Sequence, residues 1–390
     1  MTDAVTPFRV EISGSSIDDL RRRLAATRYP DPETVEDWQQ GVPLSYLQEL
    51  VGYWHDTYDM QRVADRLNAQ SNWMTRIDEL DIHCLHIRSR HSQATPLLLT
   101  HGWPGSVLEF LEIIDPLTNP TQHGGHAEDA FHLVIPALPG FGFSEKPRQT
   151  GTSVQRISSL WDTLMQRLGY RHYLAHGGDW GSMITQALMM QDSQCLAGHI
   201  TLPLVAPDPS TLESPLPEEV DALNAMQFYS EWDSGYSKQQ STRPQTLGYG
   251  LADSPSGQLA WVVEKFAQWT DCVRNNARHP ENALARDLII DTVMMYWLTN
   301  SGASSARLYW ESFNTPDLSV IERPIGVSLF PTEIFRCSER WAAQRYQQLV
   351  YFNRDIDNGG HFAAMEQPLL LTHELRAWRQ ALINHGVSFA

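Results

Sequence analysis

Residues 176–182 read "HGGDWGS", His176 to Ser182. An apolar run, "HYLAHGG" (172–178), leads into this stretch, and a helical pattern, "WGSMITQALMMQ" (180–191), leads out of it. Gly177, Gly178 and Gly181 surround Asp179. A chain that turns sharply from strand to helix needs small neighbours at the apex, and the apex residue then stands exposed as a nucleophile. The backbone N–H of Trp180 falls at the helix start, aimed at any anion that forms beside Asp179. The apex holds a carboxylate where serine is the commoner choice.

Working outward, similar apolar runs end at or near glycine: "PLLLTHGW" (96–103) and "FHLVIPALPGFG" (131–142). "IGVSLF" (325–330) and "LVYFN" (349–353) follow late in the chain, and a final helix begins in "EQPLLLTHEL" (366–375). Apolar strands alternating with helical segments predict a mostly parallel sheet covered by helices on both faces, an α/β fold. The first 94 residues differ. "FRVEI" (8–12) reads as a short strand, Ser16 with Asp19 as a capped helix start, Ser45 with Gln48 as a second start, and "WMTRID" with "LDIHCLHIRS" as paired strands. Residues 206–317 begin in Pro- and Ser-rich turns and continue as helical segments rich in Trp, Tyr and Phe. They read as an insertion over the carboxyl ends of the strands, where open α/β sheets bind ligands. The expected organisation is a wrapping segment (1–94), a core in two parts (95–205 and 318–390) and a helical lid (206–317).

The 390 residues carry a net charge of −17. An acidic surface repels phosphate backbones, which excludes nucleic acid as the natural partner. "MTDAVTPFRV" lacks the basic and apolar regions of a secretion signal, and the most apolar stretch, "LIIDTVMMYWL" (288–298), is interrupted by Asp291. No membrane anchor is expected. Four widely spaced cysteines without C-x-x-C suggest neither zinc nor a disulfide framework. A cytoplasmic location and no cofactor or metal are expected.

Three further stretches complete a constellation. "HGWPGS" (101–106) supplies a glycine-containing loop after a strand, where Trp103 would add a second oxyanion N–H. "DNGGHFAAMEQP" (357–368) places His361 on a Gly-Gly loop before a helix, the position of a general base. "GVSLFPTE" ends in Glu333, the acid to orient it. Asp355 and Asp357, on the histidine's own loop, are rivals for that role. A carboxylate is already ionised at neutral pH. Its attack on an ester carbonyl would give an anhydride, whereas attack on an sp³ carbon bearing a leaving group gives a stable ester. That points to an epoxide or an alkyl halide. An epoxide develops an alkoxide and needs a proton donor. Tyrosine suits this, and the insertion carries Tyr236 and Tyr309, although spacing alone does not select them among 13 tyrosines.

Taken together, "FRVEIS", "LRRRLAATRYPD", "LLLTHGWPGSVLEF", "IPALPGFGFSEKP", "GGDWGSMIT", "TRPQTLGYGLADSP", "FPTE" and "GGHFAAMEQP" resemble the microsomal-type epoxide hydrolases of the α/β-hydrolase fold. The resemblance covers nearly the whole chain. It implies Asp179 as nucleophile, Glu333 as acid, His361 as base, and Tyr236 with Tyr309 as the lid pair that protonates a small-molecule epoxide. It also implies a homodimer, and it marks Trp103–Pro104 as a bond often cis in relatives. The mammalian members carry a membrane anchor, and a soluble form without one is expected here. Rival readings are a haloalkane dehalogenase, with Trp180 holding the halide, a non-catalytic ligand-binding protein on the same fold, and, more remotely, a carboxylesterase, which lacks its G-x-S-x-G here.

Overall fold

The computed structural model describes residues 4–389, so Met1–Asp3 of the opening stretch and Ala390 lie outside the described residues. Nine strands form one sheet: β1 (Val5–Pro7), β2 (Asn72–Ile77), β3 (Leu80–Ile87), β4 (Thr95–Thr100), β5 (Phe131–Pro136), β6 (Tyr173–Gly177), β7 (Cys195–Ile200) and, after a two-residue hairpin pair β8 (Val273–Arg274) and β9 (Ala277–Arg278), β10 (Ile325–Ser328) and β11 (Leu349–Asn353). Their order is β1-β2-β3-β5-β4-β6-β7-β10-β11. β1, β2, β3 and β5 pair antiparallel, and every pairing from β5 onward is parallel. This is the α/β-hydrolase architecture. The near-continuous burial of β4, β5, β6 and β7 is what a sheet covered on both faces requires.

The helix Trp180–Met190 packs on β4, β6 and β7 and against the helix Val154–Arg167. The latter starts at Ser153, whose hydroxyl accepts the Arg156 N–H. The closing helix Pro368–Asn384 lies on β11. Between β7 and β10 stand the helices Pro217–Phe228, Gly235–Thr242, Pro244–Asp253, Pro255–Trp269, Arg286–Leu298 and Gly302–Ser312. Three of them start at Pro, whose missing N–H costs nothing in the first turn.

The N-terminal helices Gly14–Ala25, Leu44–Asp56 and Arg62–Asn68 lean on Pro255–Trp269 and Arg286–Leu298. Asp291, which breaks the apolar run in the sequence, is the buried anchor of this contact. It accepts from Tyr58 (2.6 Å), Arg62 (3.1 Å) and Arg66 (2.7 Å). Three local readings are corrected. "FRVEI" is not a strand: the edge strand is Val5–Pro7, and Val10 is instead tied by its N–H to Asn68 (2.9 Å). The first helix is capped by Ser13 rather than Ser16, and the second begins after Pro43 without a side-chain cap.

Candidate active site

Asp179 occupies the turn between β6 and the helix Trp180–Met190 with φ 49° and ψ −127°. A non-glycine residue is rarely held there, and such strain marks functional positions. The neighbours show why the turn needs glycine. A Cβ on Gly177 would run into the backbone of Gly181, and one on Gly181 into the carbonyl of Thr100 at the end of β4. A Cβ on Gly102 would occupy the space of the Asp179 carboxylate itself.

That carboxylate is held from two sides. The Trp103 N–H donates to Oδ1 at 2.8 Å, and His361 Nε2 stands 3.4 Å from Oδ2. Trp180 opens the helix, so its N–H is among those without an intrahelical acceptor. The loop carrying Trp103 is shaped by its neighbours. His101 accepts the Leu138 N–H at Nε2 (3.2 Å) and contacts the Gly102 carbonyl through Nδ1 (2.9 Å). Burial pushes His101 down to about 4, so it is a neutral brace. The Trp103–Pro104 bond is cis.

His361 Nδ1 meets Glu333 Oε1 at 2.6 Å, with both side chains buried. Glu333 follows β10, and its Oε1 also accepts the Ile334 N–H at 2.7 Å. Asp355 and Asp357 are exposed on the histidine's loop. Burial alone would push the His361 imidazole down. Glu333 and Asp179, on either side, reverse that, and the ring is held well above its ordinary value.

Opposite stand the tyrosines. Tyr236 lies in the helix Gly235–Thr242 and Tyr309 in Gly302–Ser312. Their rings are 5.7 Å apart, edge to face. Tyr236 stacks on Trp103 at 5.1 Å, and Tyr309 meets Trp180 edge-on at 4.8 Å. The Tyr309 hydroxyl and the Trp180 indole N–H are buried, and the polar neighbours of that hydroxyl are the side chains of Trp180 and Tyr236. Burial, then other groups including Asp179, hold both phenols well above the usual tyrosine range, so each keeps its proton. Asp179, Trp180, Tyr236 and Tyr309 share a largely apolar cavity of about 340 Å³.

The sequence reading missed several participants. Tyr229, also on the cavity, reaches Tyr236 (3.4 Å between hydroxyls). It opens a wide five-residue turn, Tyr229–Asp233, that no sequence signal marks. Tyr296 donates to the Gly105 carbonyl (2.8 Å) beneath the oxyanion loop. Lys265, buried, pairs with Asp233 (2.8 Å) and lies 4.5 Å from the Tyr236 ring centre, and Asp233 also accepts the Trp269 indole N–H (2.6 Å). Glu109 is buried near the catalytic groups, and burial raises it to about 8. Among the described residues no cluster of His, Cys, Asp or Glu is arranged to hold a metal ion, and no helix is long and apolar enough to cross a membrane.

A carboxylate at the elbow of an α/β-hydrolase sheet, a histidine–carboxylate pair behind it and two tyrosines above it define a hydrolase-like site whose elbow holds aspartate in place of serine. Comparison with known proteins narrows the class. Residues 5–110 match the family described as "Epoxide hydrolase N terminus", and residues 95–250 match "alpha/beta hydrolase fold". A Stigmatella aurantiaca protein, provisionally named an epoxide hydrolase, is 53% identical over 95% of this chain and 84% of its own length. Epoxide hydrolase 1 of Sus scrofa is 33% identical over 96% of this chain and 88% of its own. The solved epoxide hydrolase of Aspergillus niger superposes with a TM-score of 0.87 at 31% identity, covering 97% of this chain and 96% of that one. The chain belongs to the epoxide hydrolase family, hydrolases whose substrates are small-molecule epoxides.

Proposed function

We propose that the chain converts an epoxide and water to a vicinal diol through a covalent ester on Asp179. Oδ2, the oxygen not held by Trp103, attacks an epoxide carbon. The C–O bond breaks, and Tyr236 and Tyr309 hold the leaving oxygen while one of them transfers its proton. Ester formation removes the Asp179 charge, one of the two that keep His361 protonated. The imidazole then sheds its proton, which replaces the one a tyrosine gave. The freed base takes a proton from water, and the resulting hydroxide attacks the Asp179 carboxyl carbon. The oxyanion forms between the N–H groups of Trp103 and Trp180. Collapse expels the diol oxygen, which takes the proton from His361. The Asp179 acid then returns its own proton to the imidazole.

The single observation that carries this reading is the pairing of Asp179 with His361 (3.4 Å) and of His361 with Glu333 (2.6 Å) below two phenols. We assign the wrapping segment to 1–94, the lid to 206–317 and the core to 95–205 with 318–390. On the family resemblance we further propose a cytoplasmic homodimer, which light scattering of the purified protein tests.

The mechanism is tested by intact-protein mass spectrometry of His361→Ala mixed with an aryl epoxide, an aliphatic epoxide and a primary alkyl bromide. The expected result is a gain equal to a whole epoxide, mapped to Asp179. A gain of the alkyl group seen only with the bromide moves the chemistry to halide displacement, for which Trp180, on the cavity wall beside Asp179, is the structural opening. Absence of any adduct on a folded variant refutes the order of steps.

A further inference from the structure

His361 is held by two different parts of the molecule. Its imidazole is fixed from the core, by Glu333 at 2.6 Å. Its backbone is fixed from the lid. The helix Pro255–Trp269 ends beside the base, and residues 269–271 meet the loop 359–362. The His361 N–H donates to the Trp269 carbonyl at 3.0 Å, and the Gly359 N–H to Oδ2 of Asp271 at 3.2 Å. In the other direction the Asp271 N–H donates to Glu366 at 2.7 Å, and Glu366 also accepts the Phe362 N–H at 3.0 Å. The core reaches this backbone through Thr332, whose N–H and hydroxyl both donate to the Gly359 carbonyl at 3.3 Å.

The fit between the two segments is close. A Cβ on Gly360 would fall 2.5 Å from the Trp269 carbonyl oxygen and 3.2 Å from the Asp271 nitrogen, so the loop lies against the lid with no room for a side chain. The Trp269 ring meets the imidazole at 5.0 Å, and its buried indole N–H is tied to Asp233.

Backbone N–H groups taken from water must find acceptors. Three in the loop that carries the base find theirs on a lid carbonyl, a lid carboxylate and Glu366. Asp271 is the lid side chain in that set. Its two oxygens have separate partners: Oδ2 takes the Gly359 N–H, and Oδ1 pairs with the exposed Arg274 at 3.0 Å. The two contacts can therefore be removed one at a time.

We propose that Asp271 is a positioning residue that sets the place of the general base from the lid. It acts through the backbone of residues 359–361 and touches no reacting atom. The inference rests on the reading of His361 as the base of ester hydrolysis. Attack by Asp179 needs no base, so loss of the Asp271 acceptor should slow the second step and spare the first. A base displaced by about 1 Å is enough to slow proton transfer by on the order of 10²-fold.

The experiment follows single turnovers of styrene oxide by rapid quenching and intact-protein mass spectrometry. The wild type is compared with Asp271→Ala, Asp271→Asn and Arg274→Ala. Asp271→Ala should form the ester at the wild-type rate and hydrolyse it ~10-fold or more slowly, so that ester accumulates. Asp271→Asn keeps an acceptor for the Gly359 N–H and should restore most of the hydrolysis rate. Arg274→Ala removes only the surface pair and should leave both rates unchanged. Glu366→Ala, which frees the Asp271 and Phe362 N–H groups, should slow the same step and stands in where Asp271→Ala does not fold. Unchanged ester hydrolysis in the folded alanine variant overturns the inference, and so does an equal fall in both rates. A loss in Asp271→Asn as large as in Asp271→Ala overturns it too, because charge and not the acceptor then matters. In each of these cases the wild type still passes through the Asp179 ester and the epoxide reading stands. A wild type that forms no ester with styrene oxide or with 1,2-epoxyhexane overturns that reading and this inference together.

Discussion

The two walls of the site are made differently. The core wall carries charge. Asp179, His361 and Glu333 sit on loops after strands, tied by contacts of 2.6–3.4 Å, and Asp179 is in a backbone conformation that its neighbours impose. The lid wall carries neutral hydroxyls. Tyr236 and Tyr309 sit on helices and are held by ring contacts to Trp103, Trp180 and each other. The difference is physical. An ion in a low-dielectric site is costly unless it is fixed and paired. A neutral phenol can stand buried on weak partners alone, as the Tyr309 hydroxyl does beside Tyr236 and Trp180. An arriving epoxide oxygen would offer it a stronger acceptor. The ionised groups facing the cavity thus lie on the core side, and neutral hydroxyls face them from the lid, whose own buried ion pair, Lys265 with Asp233, is held against the Tyr236 ring.

Four substitutions sharpen or break this contrast. The largest effect is expected for Asp179→Asn, which should lower epoxide consumption by on the order of 10⁴-fold or more, since an amide is no nucleophile. It also removes one carboxylate from beside His361, so the histidine titration followed by NMR should move down. A variant that stays active, with deamidation excluded, takes the nucleophile role away from the core wall. Next, Tyr309→Phe and Tyr236→Phe should each slow ester formation by ~10²-fold. The rate of ester hydrolysis, read from single-turnover kinetics, should be kept. If ester hydrolysis falls instead, the division of labour between the walls is wrong.

The smallest effect concerns Glu109. Its folded value, about 8, lies above its ordinary 4.5, so the folded state binds this proton more tightly than the unfolded one. The stability it contributes is full below about 4.5 and is lost as pH rises through 8. Glu109→Gln should therefore flatten the fall of Tm between pH 6 and 8. An unchanged slope means Glu109 ionises freely, and the core wall then holds one more charge than described.

Part of this was legible in the residues alone. The glycines around Asp179 act within a few positions of it, and the apolar runs of β4 to β7 reveal the covered sheet by themselves, because both signals are local. Cap choice at Ser13 and the extent of the edge strand are also local, yet near-degenerate. "SGSS" (13–16) offers three serines as caps, and pairing with β2, not the composition of "FRVEI", decides where β1 ends. The partners that tune the site were not legible. Tyr229 beside Tyr236, Lys265 with Asp233 under that ring, and Glu109 near His361 come from residues whose spacing carries no period.

What the sequence determined by itself is the class of protein and the place of Asp179 at the strand-to-helix turn. A turn crowded enough to demand glycine at 177 and 181, with aspartate between them, admits few readings. The tertiary structure decided which face each side chain meets: His361 between two carboxylates, two phenols on the cavity of Asp179, and Arg345 of one helix against Gln186 of another. Those encounters join residues up to 182 positions apart in the case of Asp179 and His361. Long-range proximity is set by packing of the whole core, and no short window of sequence contains it.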